Sequence, residues 1–358
     1  MSDGLDHLVE ALNAKRQIEL PHFLRSVVGG EALSAELTEV LAKLGSRNPL
    51  LVSGSSQSVA VCNDLQIDGA ERTTVADNTR SEVARLAELA AGHDAIVAIG
   101  GGRPIDVAKS AALAAALPVV VIPTQLSADG IASPISVISE GPGHVVSERS
   151  ALPAAVIADL ETLSSAPIAF ARAGVGDLLS NRTALVDWRL AASAGEEEID
   201  DFAALLAACA HLLVEGLDLS PLSAGNLTHE LAQRLLDGLV LSGLAMEIAG
   251  SSRPCSGSEH LISHALDALE PGTAPHGEQV AFGTLVATAL QGGDVGRVRG
   301  ELESVGMRAA LTGFGLSPAR LTEIVAYGPA TRPGRYTVLD NGRPPAAELR
   351  ELIASLIA

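Results

Sequence analysis

The placement of β-forming segments constrains this chain most: they alternate with helical runs up to Asp159 and then stop. Short β-rich runs occur at Pro49–Ser53, Glu71–Ala76, Ala95–Ile99, Val119–Ile122 and Ala154–Ala158. Helical spacing separates them, through Val59 and Leu65, over Ser81–Ala91 and over Pro104–Ala116. That alternation predicts a parallel, doubly wound sheet. Ser136–Ser139 and Val145–Ser147 flank Gly141-Pro142-Gly143 and predict a hairpin. After Asp159 only helical runs follow: Asp177–Ala192, Asp201–Glu215, Leu227–Ile248, Glu259–Leu269, Gly277–Leu290, Val298–Val305 and a tail from Pro345. The expected organisation is an α/β domain over residues 1–160 and an all-helical domain over 161–358, with a ligand cleft between them.

A chain of 358 residues has room for two such domains. Its net charge of −19 argues against nucleic acid and anionic membrane as partners, since both require clustered Lys and Arg. Cys62, Cys209 and Cys255 are odd in number and far apart, which fits a reducing cytoplasm and no disulfide framework. The opening MSDGLDHLVEALNAKRQIEL has no apolar signal core, and no run is long enough to span a membrane.

Two turns in the first half carry ligand chemistry. Gly100-Gly101-Gly102 follows a strand and opens a helix with Pro104 in its first turn. Glycines allow close approach of a pyrophosphate to the backbone, and the helix start offers unbonded N–H groups. The spacing is not G-x-G-x-x-G, and a plain tight βα turn reads the same way. The next turn, Pro123–Pro134, supplies the hydroxyls of Thr124, Ser127 and Ser133 and the carboxylate of Asp129. In a parallel sheet, ligands bind beyond the carboxyl ends of the strands.

Three of the nine histidines fall within Gly250–Val280. His260 and His264 stand four apart on one helix face, and His276 follows the break at Pro271-Gly272. Two imidazoles from one helix and a third from the next can converge on a divalent metal. Asp177, after Gly174 and Gly176, is either a helix N-cap or a carboxylate ligand to the same metal.

In order along the chain, GGGRPIDVAK, PTQLSADGIASP, GVGDLL…DW, GSSRP-x-SGSEH-x3-H, HGEQV and RPGRYTVL resemble the sn-glycerol-1-phosphate dehydrogenase family. That family lies within the superfamily of iron-containing-type alcohol dehydrogenases and dehydroquinate synthases. The resemblance covers roughly residues 95 to 340. It implies a dehydroquinate synthase-like fold, with a dinucleotide-binding N-terminal domain and a helical metal-binding C-terminal domain. By motif, Gly102, Arg103, Pro104, Ile105 and Asp106 would contact NAD(P), as would Thr124, Gln125, Leu126, Ser127 and Ser133. Asp177, His260 and His276 would hold one metal, with Asp129, His264 and Asp177 at the substrate. Zinc suits such ligands best, with nickel or iron as alternatives.

The implied activity interconverts dihydroxyacetone phosphate and sn-glycerol 1-phosphate with NAD(P)H, and a homo-oligomer is the family's usual form. Arg253 is the candidate for the phosphate. Ala128, where many members carry His or Asn, and Cys255, where a smaller residue is usual, depart from the pattern. They leave open a dehydrogenase of another alcohol or aldehyde. A dehydroquinate synthase-like lyase or cyclase is the further alternative.

Overall fold

Strands β2 (Pro49–Ser53), β4 (Ala95–Gly100), β5 (Val119–Pro123) and β8 (Ala155–Asp159) are buried along their whole length. Strands of this kind need cover on both faces, and a parallel sheet provides it. With β1 (Phe23–Val27) and β3 (Glu71–Thr74) they form a six-stranded, all-parallel sheet in the order β1-β8-β5-β4-β2-β3. The computed structural model describes residues 23–55, 57–141 and 144–358, excepting the side chains of Phe23 and His144. The N-terminal stretch, Ser56, Pro142 and Gly143 of the sequence reading lie outside the described residues. Strands β6 (Ile135–Gly141) and β7 (His144–Arg149) pair antiparallel, as the expected hairpin.

Helices α1 (Gly30–Lys43), α2 (Gln57–Asp64), α3 (Arg80–Ala90), α4 (Gly102–Ala115) and α5 (Leu160–Ser165) accompany the sheet. Leu33, Leu37, Val40 and Leu41 of α1 join Leu51, Val97, Ile99, Val120, Ile122 and Ile157 in one aliphatic core. Neither β1 nor α1 was expected from the sequence. A five-residue strand reading FLRSV carries too little alternation to declare itself without its partner β8.

Two compact units divide the chain: residues 1–167 with 229–233, and residues 168–228 with 234–358. The C-terminal unit is helical: α6 (Ile168–Ser193), α7 (Asp201–Leu212), α8 (Ser220–Ser223), α9 (His229–Ala249, whose first turn belongs with the other unit), α10 (Ser258–Leu269), α11 (His276–Leu290), α12 (Val295–Val305), α13 (Arg308–Leu311), α14 (Pro318–Thr331), α15 (Val338–Asn341) and α16 (Ala346–Leu356). The sequence reading did not include α14, and it is corrected at Asp177. Asp177 does not begin a helix; it sits inside α6, and Gly174 and Gly176 are helical residues before it.

Close helix packing explains those glycines. A Cβ on Gly176 would collide with the carbonyl oxygen of Gly277, and one on Gly277 with that of Ala173. A Cβ on Gly283 would likewise strike the Glu259 backbone. Glycine therefore lets α11 lie against both α6 and α10 at backbone contact.

Candidate active site

Those three helices bring Asp177 of α6, His260 of α10 and His276 of α11 together. One ligand atom from each lies within 4.8 Å of the others. Asp177 Oδ1 stands 3.5 Å from His260 Nε2 and 3.7 Å from His276 Nε2. Tetrahedral ligands at about 2.0–2.1 Å from an ion are separated by about 3.3 Å, so the spacing fits a small divalent metal. His264 is not among the three donors, although it shares a helix face with His260.

A layer of hydrogen bonds orients both imidazoles. His260 Nδ1 lies 2.9 Å from Glu259 Oε1, and Glu259 is fully buried. Glu259 accepts from Thr183 Oγ1 at 2.8 Å and from Gly257 N at 2.5 Å. His276 Nδ1 lies 3.2 Å from Ser263 Oγ, which donates to Gln279 Oε1 at 3.0 Å; Gln279 Nε2 donates to Asp267 Oδ1 at 2.9 Å. Each Nδ1 is thus engaged and each Nε2 is turned toward Asp177, the arrangement that metal-binding histidines require.

Electrostatics separate the histidines. Burial works against a charge on His260, but hydrogen bonds to Asp177 and Glu259 outweigh it and raise the ring to about 10. A metal ion would replace that proton. Burial lowers His264 to about 3, helped by the positive charge of His276, His260, Arg332 and Arg335, so its ring is neutral. Burial, then repulsion from His260, lowers His276.

The N-terminal unit offers a different kind of site. Connections leave β2 toward β3 and β4 toward β5, so the strand order reverses between β2 and β4. Ligands of open parallel sheets bind at the carboxyl ends beside such a point. There Gly100 has φ +148°, where a side chain would be strained, and a Cβ on Gly101 would strike the Gln125 amide. A Cβ on Gly102 would meet nothing within 4 Å. The N-cap of α4, Gly101, has no capping side chain, and the first turn of α4 holds no acidic residue. An uncapped helix start faced by open space fits a pyrophosphate.

The sequence pattern of the iron-containing alcohol dehydrogenases matches residues 28–167. Glycerol-1-phosphate dehydrogenase [NAD(P)+] of Methanosarcina barkeri is 37% identical over 347 residues, covering 94% of this chain and 95% of the relative. The enzyme of that name from Hyperthermus butylicus is 37% identical over 334 residues, covering 90% and 93%. This chain belongs to the glycerol-1-phosphate dehydrogenase family. Among solved structures, a probable glycerol dehydrogenase from Sinorhizobium meliloti superposes with a TM-score of 0.77 at 25% identity, covering 94% of this chain and 96% of that one.

Within this member of the glycerol-1-phosphate dehydrogenase family, several residues singled out from the sequence occupy unexpected surroundings. Arg253 is 1% exposed. Its guanidinium donates to Glu197 at 2.6 and 2.5 Å and to the Tyr336 carbonyl at 2.7 Å, which makes it a structural tie in place of an available phosphate ligand. Asp106 lies 3.8 Å from Lys109 Nζ, and burial raises it to about 6. The side chains of Ile105 and Leu126 are core, leaving only their backbone for a ligand. Pro104 packs against Gly100 and Gly54, and the buried Ser133 hydroxyl donates to the Ile135 carbonyl at 3.2 Å.

Lys109 closes the same loop from beneath. Fully buried, it donates to the carbonyls of Gly130 and Ile135 at 2.8 and 2.6 Å, and it feels the charges of Asp106 and Asp129. The sequence reading passed over Glu259, Ser263, Gln279, Arg332 and Arg335 as site residues. Glu259 had a readable signal, since it directly precedes His260 in the SEH motif. Ser263 and Gln279 had none, because the contact between them spans two helices.

Proposed function

We propose that this chain reduces dihydroxyacetone phosphate to sn-glycerol 1-phosphate, and reverses that reaction, with NAD(P)H and one divalent metal. The observation that carries the reading is a three-donor cluster in a chain 37% identical, over 94% of its length, to an enzyme named for that activity. We assign Asp177, His260 and His276 as the metal ligands. Two imidazoles and a carboxylate are a donor set that zinc prefers, and three protein ligands leave the coordination open as catalysis requires. When bound, the metal supplies Lewis-acid polarisation of a carbonyl and the nicotinamide supplies hydride.

The chain's own residues perform the remaining work. Glu259 and Ser263 hold the two rings in the orientation that presents Nε2. His264, one turn from His260, keeps a neutral ring that takes a proton from water on one nitrogen as it gives the N–H proton of the other to the substrate oxygen. Asp129 serves the substrate, and the Thr124–Ser127 and Ser133 turn of the N-terminal unit serves the cofactor. There the uncapped start of α4 at Gly102 receives the pyrophosphate through backbone N–H groups. We read residues 1–160 as the dinucleotide-binding part and 161–358 as the metal- and substrate-binding part.

Cytoplasmic residence suits three free cysteines, and among the described residues no helix is long and apolar enough to cross a membrane. The test is oxidation of NADH and NADPH with dihydroxyacetone phosphate and with dihydroxyacetone, metal content being measured on the same sample. Turnover of the phosphorylated ketone well above the free ketone is expected. Equal rates with both would move the assignment to another alcohol or aldehyde.

A further inference from the structure

Three arginines gather around Ser252 in the C-terminal unit, and only one of them has a carboxylate partner among the described residues. Arg253 is tied to Glu197. Arg332 and Arg335 donate to neutral oxygens instead: Arg332 Nη1 to Ser252 Oγ at 2.9 Å, Arg335 Nη2 to the same hydroxyl at 3.0 Å, and Arg335 Nη1 to the Ser256 carbonyl at 2.7 Å. Arg335 is only 8% exposed. Two guanidinium groups on one hydroxyl, one of them buried, is an arrangement that costs free energy unless an anion joins it. Burial, then repulsion from Arg332 and Arg253, lowers Arg335 to about 9; burial, then Arg253, lowers Arg332. This concentration of positive charge stands in a chain of net charge −19.

The cluster is built into the site's own framework. Asp187 Oδ2 accepts from Ser258 N at 2.7 Å, in the first turn of α10, and Oδ1 accepts from Val338 N at 2.8 Å, just past the arginine loop. One buried carboxylate therefore anchors both the helix that carries His260 and His264 and the segment that carries Arg332 and Arg335. Gly328 of α14, a turn before Arg332, packs on the Leu261 backbone, where an added Cβ would lie 3.5 Å from its carbonyl carbon. After burial and the charges of His276 and His260, both arginines also lower the His264 ring.

We propose that Arg332 and Arg335 form the anion subsite that receives the substrate's phosphate and selects phosphorylated over free ketones. The inference rests on the ketone-phosphate reading above and adds which residues enforce it. Three bonds separate the carbonyl carbon of dihydroxyacetone phosphate from phosphorus. An anion subsite must then lie within about one helical turn of the reacting centre, and His264 is one turn, about 5.4 Å, along α10 from His260. Guanidinium is the group suited to a phosphate, through paired, charge-assisted hydrogen bonds.

The experiment uses the full-length, metal-loaded protein. Binding of inorganic phosphate is measured by calorimetry, against chloride at equal ionic strength, for wild type, Arg332→Gln and Arg335→Lys. The ratio of kcat/KM for dihydroxyacetone phosphate to that for dihydroxyacetone is measured on the same samples. Arg332→Gln should weaken phosphate binding and lower the ratio by roughly 10- to 100-fold. Arg335→Lys keeps the charge but not the fork, and should fall between; it also carries the test should Arg332→Gln fail to fold. Phosphate binding and ratio at wild-type values in a folded, metal-replete variant would overturn the subsite while leaving the activity intact. A wild type that binds phosphate through these arginines yet turns over no ketone phosphate would overturn the activity and keep the subsite.

Discussion

The glycine turn of the N-terminal unit and the donor cluster of the C-terminal unit use glycine in opposite ways. At Gly102 the missing side chain leaves open space, with nothing within 4 Å of where a Cβ would stand. At Gly176, Gly277 and Gly283 the missing side chain is filled by another helix's backbone. The first site is made of main chain at a strand end, and one local segment contains it. The second is made of side chains from three helices, and exists only because those helices touch. A glycine is therefore informative only with its surroundings: one leaves open space, the other admits a helix.

The strongest way to break the comparison is to remove donors. Asp177→Ala, His260→Ala and His276→Ala should each lose bound metal, by elemental analysis, and all turnover, with circular dichroism unchanged. His264→Ala should keep full metal and lose turnover by roughly 10²–10⁴-fold, the worth of a general acid. Metal loss in His264→Ala equal to that in His260→Ala would return His264 to the ligand set.

Next in size is the packing glycine. Gly277→Ala drives a methyl into the Ala173 backbone, which cannot give as a flexible side chain would, and should cost about 3 kcal/mol or more in thermal or urea unfolding. Gly102→Val should leave unfolding nearly unchanged but raise the KM for NAD(P)H roughly tenfold, because it fills the space in front of the helix start. If the two glycines exchanged these outcomes, the distinction between them would collapse.

Glu259→Gln sharpens the picture of a supported centre. The shape stays and the charge behind His260 goes, so metal affinity should drop by roughly 10- to 100-fold in a chelator competition. An unchanged affinity would reduce Glu259 to a packing role.

The smallest expected effect is one of pH, away from the donors. His211 on α7 is lowered to about 4, by burial first and then by Arg182. Glu215 lies 3.4 Å from its Nε2 but is already paired with Arg297, so it does not hold a proton on the ring. The unfolded chain takes up that proton near pH 6.5 and the folded chain only near 4. Stability should therefore fall as pH drops through this window, by up to about 3 kcal/mol, and be unaffected above it. His211→Leu should flatten the acid limb of the unfolding free energy; an identical limb would remove His211 from the account.

Local patterning by itself determined the parallel sheet, the helical second half and the glycine turn, because a buried strand, an amphipathic helix and a βα turn each lie within a few consecutive residues. It also brought His260 and His276 to notice as donors. It left undecided whether Asp177 capped a helix or faced a metal, since G-x-G-D reads equally well as a break and as a packing surface. It offered His264 as readily as His276 to the ion, since residues four apart always share a face. It named Arg253 for an anion, where the fold gives that arginine to Glu197 and sets Arg332 and Arg335 on neutral oxygens, with no ion-pair partner among the described residues. Tertiary structure set where these side chains stand, because each position depends on which helix backbone approaches which, and neither spacing nor composition encodes the close contact of Gly277 with Ala173.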